Sequence, residues 1–173
     1  MKKILILFGI IISMNCSAQK IGVSFGYTTK SYIPIDFYFA SSSGLGLKIS
    51  LSVDTKKNTE GENYSSTINW DAFPEDHKSE GSYLTPIDFG IGKFFDQFYV
   101  FGLIGFSNET LYRNCFDNFH ILGENGNYYK LVEGNNDLNY GIEAGYFKSN
   151  INIGIIYTKY TGLGFKLGIY IGD

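Results

Sequence analysis

Eight times between Ile21 and Ile171 an apolar side chain returns at every second position. Successive side chains of a strand point to opposite sides, so a period of two specifies strands with one apolar face. Ile21, Val23, Phe25 and Tyr27 alternate with Gly22, Ser24 and Gly26; Ile33, Ile35, Phe37 and Phe39 with Pro34, Asp36 and Tyr38; and Leu45, Leu47, Ile49, Leu51 and Val53 with Gly46, Lys48, Ser50 and Ser52. A fourth run sets Ile87, Phe89 and Ile91 against Asp88, Gly90 and Gly92. A fifth covers about 98–106, where Phe98-Tyr99-Val100-Phe101 hides the parity and leaves the facing open. The sixth sets Leu138, Tyr140, Ile142, Ala144 and Tyr146 against Asn139, Gly141, Glu143 and Gly145. The seventh carries Ile151, Ile153, Ile155 and Tyr157, and the eighth Leu163, Phe165, Leu167, Ile169 and Ile171.

Connector lengths select the architecture. The turns at 41–43, 93–97 and 148–150 are short, whereas 54–82 and 107–137 are long and polar and fall at the opposite strand ends, with the links 28–31 and 159–162. Short turns at one end, long loops at the other and strands of about ten residues predict an all-β, eight-stranded antiparallel up-and-down transmembrane β-barrel. Charge placement favours it over a soluble lipocalin-like barrel. Of 31 Asp, Glu, Lys and Arg residues, ten lie in 54–82 and seven in 107–137, and only Asp36, Lys48, Asp88, Glu143 and Lys166 sit inside strands. A solvated outer face would carry many more. The apolar face therefore looks into lipid and the Gly, Ser and Tyr face into a narrow lumen. With 14 Lys and Arg against 17 Asp and Glu, the basic footprint of a nucleic-acid binder is missing.

The first 19 residues, MKKILILFGIIISMNCSAQ, combine a basic start, an apolar stretch and a small-residue cleavage box. They predict a signal peptide over 1–18 and a barrel domain over 19–173. Asn15 before Cys16 argues against a lipoprotein signal. Cleavage leaves Cys115 as the only thiol, so the domain forms no internal disulfide. Both chain ends then lie on the short-turn, periplasmic side of a Gram-negative cell outer membrane, and the two long loops are extracellular, exposed and mobile.

Aromatic girdles are expected where strands meet the membrane surfaces. Tyr27, Tyr32, Tyr83, Tyr157 and Tyr160 lie near the loop ends, and Phe39, Phe94, Phe95, Phe98, Tyr146 and Tyr170 near the turn ends. Pro34 and Pro86 lack an N–H for a closed ladder, so a bulge or a late strand start is expected at each. Pro34-Ile35-Asp36-Phe37 recurs as Pro86-Ile87-Asp88-Phe89, and Gly44-Leu45-Gly46-Leu47-Lys48 as Gly162-Leu163-Gly164-Phe165-Lys166. Each copy puts one ionisable group near a strand middle, facing the lumen, where an unpaired charge is costly. Asp36, Lys48, Asp88, Glu143 and Lys166 are therefore expected at similar depth as a structural polar cluster, with Lys48 between Asp36 and Asp88 and Lys166 approaching Glu143.

A signal peptide, eight alternating strands and long loops on one side resemble the small eight-stranded outer-membrane proteins, the group containing OmpX and the OmpA membrane domain. The Ala18-Gln19 junction and the Tyr/Gly-rich strands are similar to secreted proteins of Bacteroidota. The sequence departs from many such barrels in ending Ile171-Gly172-Asp173 rather than on an aromatic residue. The resemblance implies outer-membrane lipid, lipopolysaccharide and the barrel-assembly machinery as partners, together with an unidentified surface ligand. Some of these barrels modify lipid A with a histidine and a serine or acid. His77 and His120 are the candidates here, beside Asp76, Ser79 and Glu124, but no spacing fixes a nucleophile against a base. The pattern contains no zinc or calcium motif and no phosphate-cradling loop, so no catalytic, metal or cofactor residue is expected. The reading is a non-enzymatic integral outer-membrane barrel displaying acidic loops for adhesion, surface binding or envelope integrity. The alternatives are a small hydrophobic-ligand binder or conduit, and a lipid-modifying enzyme.

Overall fold

The computed structural model describes residues 18–64, 76–122 and 124–172. The signal-peptide expectation lies outside these residues except at Ala18. The strands are β1 (Ala18–Thr28), β2 (Tyr32–Ser41), β3 (Leu45–Asp54), β4 (Glu62–Asn63), β5 (Asp76–Phe95), β6 (Phe98–Phe116), β7 (Asn127–Lys148), β8 (Ile151–Thr158) and β9 (Gly162–Ile171). The order β7-β6-β5-β3-β2-β1-β9-β8, closed by a β7–β8 pairing, makes an eight-stranded antiparallel barrel. The two-residue β4 is extra to it and pairs in parallel with β7 at Tyr128 and Tyr129. Closure leaves no edge strand, so every barrel strand has a neighbour on both sides.

The described residues fall into two compact units. The barrel unit comprises residues 18–53, 86–107 and 138–172, and the second unit lies within 54–85 and 108–137. Strand continues into the long polar connectors: β5 begins at Asp76, β6 runs to Phe116 and β7 begins at Asn127. Alternation could not reveal these extensions, because a strand with polar groups on both faces has no apolar period.

Within the barrel unit the odd-numbered positions of β1, β2 and β3 face outward, as do the even-numbered positions of β6 and β7. The facing of the fifth run is thus settled. Tyr99, Phe101 and Leu103 point inward, and Phe98, Val100, Ile104 and Phe106 outward. The outer face is apolar and uncovered: Ile91 is 67% exposed, Phe165 65%, Phe25 63% and Phe106 62%.

The girdle assignment needs three corrections. Phe94 and Tyr170 are buried inside the barrel and Tyr32 is also buried. Phe94 and Tyr170 join Tyr38, Tyr99, Phe101 and Phe147 in an aromatic layer, with Tyr38 and Tyr170 ring centroids 5.4 Å apart and Phe94 and Phe147 5.5 Å apart. Strand parity takes precedence over proximity to a membrane surface, because a closed barrel must fill its own interior. The prolines cause no late start: Pro34 lies in β2 and Pro86 deep in β5. The β1–β2 ladder reaches Phe25↔Ile35 and the β3–β5 ladder Leu51↔Ile87, each one residue short of the proline. On those sides the missing N–H costs no ladder bond.

Candidate functional site: an ion cluster in the barrel lumen

Asp36, Lys48, Glu143 and Lys166 meet inside the barrel, with no side-chain surface exposed. Lys48 Nζ lies 3.2 Å from Asp36 Oδ1 and also pairs with Glu143 Oε2. Lys166 Nζ pairs with Asp36 Oδ2 and lies 2.5 Å from Glu143 Oε2. Each cation touches both anions, so two ammoniums and two carboxylates close into a neutral group. The Tyr38 hydroxyl donates to Glu143 Oε1 and accepts from Lys166 Nζ at 2.6 Å. Ser24 Oγ donates to Asp36 Oδ2 at 3.0 Å. Taking charges out of water is costly, and geometry of this kind is what offsets it.

Glycines make room for the lysines. Lys166 pairs across the sheet with Gly26 on β1 and Gly154 on β8, and Lys48 with Gly90 on β5. A Cβ on Gly26 would lie 2.7 Å from Lys166 Cγ, and one on Gly90 3.1 Å from Lys48 Cβ. The repeated Gly-Leu-Gly-x-Lys segments combine two needs. Gly44 and Gly162 take φ +78° and +74° at turns, where other residues are strained. Four residues later Lys48 and Lys166 point inward. One copy follows a short turn of the 41–44 kind and the other a link at the opposite barrel end, yet the two lysines share the same carboxylates.

Asp88 stands apart from this cluster. Its two oxygens accept from Asn139 Nδ2 at 2.8 and 2.9 Å. The register explains the separation: Lys48 faces Gly90, and Asp88 faces Ser50, one inward position further along β3. The two Pro-Ile-Asp-Phe segments therefore give their acids different partners. Sequence reasoning missed the parts played by Tyr38, Ser24 and Asn139. Parity placed all three inward, but only the sheet register shows whom each one meets.

The second unit has its own small core of Cys115, Leu122 and Tyr128, with Tyr64 packed against it. Burial raises the Cys115 thiol above its ordinary range and pushes the Tyr128 phenol up to about 12. Asp117 organises the adjoining turn. Its Oδ1 accepts from Phe119 N at 2.8 Å, and its Oδ2 from Ile121 N at 2.7 Å and Leu122 N at 3.0 Å. These bonds, that from Phe119 first, hold the carboxyl below the usual carboxylate range. Exposed ion pairs join Lys78 to Glu60 at 2.5 Å and Arg113 to Glu80 at 2.7 Å. A cavity of about 340 Å³ is lined by Glu80, Gly81, Ser82, Leu111, Tyr112 and Arg113.

The groups weighed for lipid chemistry are placed as follows. His120 is exposed, donates its backbone N–H to Asp117 O at 3.0 Å and sets its ring edge-on to Phe116. Ser79 Oγ accepts from Asn114 Nδ2 at 3.0 Å. The side chains of Asp76, His77 and Glu124 lie outside the described residues. Among the described residues no three His, Cys, Asp or Glu side chains are grouped to hold a metal ion.

No family model matches the chain, and no curated protein matches it by sequence. Among solved structures it is similar to Ail, the attachment invasion locus protein of Yersinia pestis, solved in complex with the heparin analogue sucrose octasulfate. The TM-score is 0.50 at 11% identity, over 90% of this chain and 97% of that one. It is also similar to a barrel from work on the de novo design of transmembrane β-barrels, with TM-score 0.42 and 14% identity over 89% and 93% of the two chains. At 11% identity the likeness to Ail is one of fold, a small eight-stranded antiparallel barrel.

Proposed function

We propose that the chain is a non-enzymatic integral protein of the outer membrane, whose barrel carries an acidic surface unit that binds a partner outside the cell. The observation that carries this reading is the inversion of the barrel unit. Its outer face is uncovered apolar side chain, while the mid-strand charges Asp36, Lys48, Glu143 and Lys166 are locked inside. A soluble protein rarely exposes an apolar surface so extensive, and a bilayer solvates it. The lumen cluster acts structurally, tying strands together and blocking passage. Its charged groups have no exposed surface for a substrate to reach, and the aromatic layer fills the space a hydrophobic ligand would need. The segments 54–82 and 107–137 leave the strands at the end opposite the short turns, which puts them outside the cell if the termini are periplasmic.

Adhesion is the role the surface unit fits best. Segment 54–82 has seven acidic and three basic residues, and 107–137 has five acidic and two basic. Ail was solved with a polyanionic heparin analogue, whereas this charge balance favours a cationic partner surface. Fractionation tests the membrane reading: the mature protein should sediment with outer membranes, need detergent for solubility and shift its gel mobility on boiling. Recovery as a soluble periplasmic monomer would overturn it. Protease added to whole cells should cut within 54–82 or 107–137 and spare the barrel strands.

A further inference from the structure

One ammonium of the second unit rests on aromatic rings instead of on an acid. Lys57 Nζ lies 4.7 Å from the centroid of the Tyr83 ring and 5.6 Å from that of Tyr129. Tyr112 adjoins them, its ring centroid 6.4 Å from that of Tyr83. The three tyrosines come from β5, β6 and β7, successive strands of the sheet, and these contacts put their rings on one face of it. Lys78 and Arg113 of the same unit pair with Glu60 and Glu80, whereas Lys57 makes no ion pair with a described residue. Lys57 is exposed, and Tyr83 and Tyr129 are half-buried. The backbone beside Lys57 is fixed independently of its side chain. Asn58 N donates to Tyr112 Oη at 3.3 Å, Asn114 Nδ2 to Asn58 O at 2.9 Å, and Glu60 N to Asn114 Oδ1 at 3.0 Å. Rotation of the Lys57 side chain alone therefore uncovers the rings.

We propose that Tyr83 and Tyr129 form a cation–π site for a basic side chain of a protein partner, and that Lys57 occupies this site until the partner displaces it. The face of a tyrosine ring is electronegative and attracts an ammonium or guanidinium, weakly enough at an exposed position for one cation to replace another. Twelve acidic residues against five basic ones in 54–82 and 107–137 draw a cationic partner to this unit. Exposed carboxylates are screened by salt and hold such a partner in no fixed pose. The ring faces add a defined place for one cation. The inference deepens the cationic-partner reading above and rests on it.

The test uses the folded full-length protein in neutral detergent and an end-labelled peptide of alternating glycine and lysine, with binding read by fluorescence anisotropy. Lys57→Gln should tighten binding about threefold, the worth of one exposed cation–π contact. Lys56→Gln makes the same charge change one residue away and should do much less. In the Lys57→Gln background, Tyr83→Leu with Tyr129→Leu should cancel the gain. Tyr83→Phe with Tyr129→Phe should keep it, because the ring face and not the hydroxyl receives the cation. The lysine ε-methylene protons of the bound peptide should also move upfield in the NMR spectrum, as protons above an aromatic face do. The Lys57→Gln gain and these proton shifts decide the matter even where the leucine variant fails to fold. Peptide binding that ignores both Lys57→Gln and the loss of the rings sinks this inference and leaves the cationic-partner reading standing. A peptide bound by neither the parent nor the Lys57→Gln variant sinks that reading, and the site with it.

Discussion

Lys166 Nζ lies 2.5 Å from Glu143 Oε2, although their strands β9 and β7 are separated by β8. The bond passes over the inner face of β8 at Gly154, where a Cβ would lie 3.5 Å from Glu143 Oε1. Removing one member of a buried group leaves a charge without compensation, at a cost of roughly 3–5 kcal/mol. Lys166→Met should therefore lower the urea midpoint of the barrel in lipid vesicles by that order. Lys166→Met combined with Glu143→Gln should recover part of the loss, since one ammonium then faces one carboxylate. A single variant as stable as the parent would show that the cluster does not hold the barrel together.

Tyr99 seats its hydroxyl end against two glycines: a Cβ would lie 2.4 Å from its Oη on Gly154 and the same distance on Gly145. The ring is fully buried among Phe94, Phe101 and Tyr170, so it has little room to retreat. Gly145→Ala should destabilise the barrel by about 1–3 kcal/mol through overpacking. With Tyr99→Leu already in place, the same Gly145→Ala change should cost much less. Equal effects in both backgrounds, read from denaturant midpoints, would show that the ring is not what Gly145 accommodates.

The sequence carried the barrel because strands with one apolar face show a period of two, and that period recurs eight times. It also carried the inward facing of Asp36, Lys48, Glu143 and Lys166, since facing follows from parity alone. Partnership was less legible. Asp36 and Asp88 occupy the same place in the same four-residue motif, yet one meets two lysines and the other an asparagine. That difference comes from which side chains the neighbouring strands bring to each acid, which no single segment encodes. The strand extensions in β5, β6 and β7 were invisible for another reason: polar residues on both strand faces leave no apolar period.

Asp117 gives the second unit a pH response of defined sign. Its carboxyl is held below the ordinary 3.8 by the amides of Phe119, Leu122 and Ile121. A carboxylate with a depressed folded value stabilises above its unfolded value, and that contribution is lost as pH falls through the folded one. The turn around Phe119 should keep one conformation at neutral pH and loosen below about 4, read from the amide NMR shifts of Phe119, Ile121 and Leu122. Asp117→Ala should show the loosened spectrum already at pH 7. Shifts that stay flat down to pH 2 would remove Asp117 as the organiser of this turn.

Ile155 separates a bilayer from water as the solvent of the outer face. It lies on β8 between Ala144 of β7 and Phe165 of β9, and half of its surface is exposed. On a soluble barrel, Ile155→Lys would replace an exposed apolar group with a solvated one and change stability by within about 0.5 kcal/mol. In a bilayer the same ammonium faces hydrocarbon near mid-strand, where the cost is roughly 2–4 kcal/mol. The membrane reading therefore predicts a large loss for Ile155→Lys in reversible folding into lipid vesicles. It also predicts a gradient, because a lysine at Ile151, beside the turn at 148–150, can extend its stem to the interface and should cost much less. Equal and small effects at both positions would mean that the apolar face does not meet lipid.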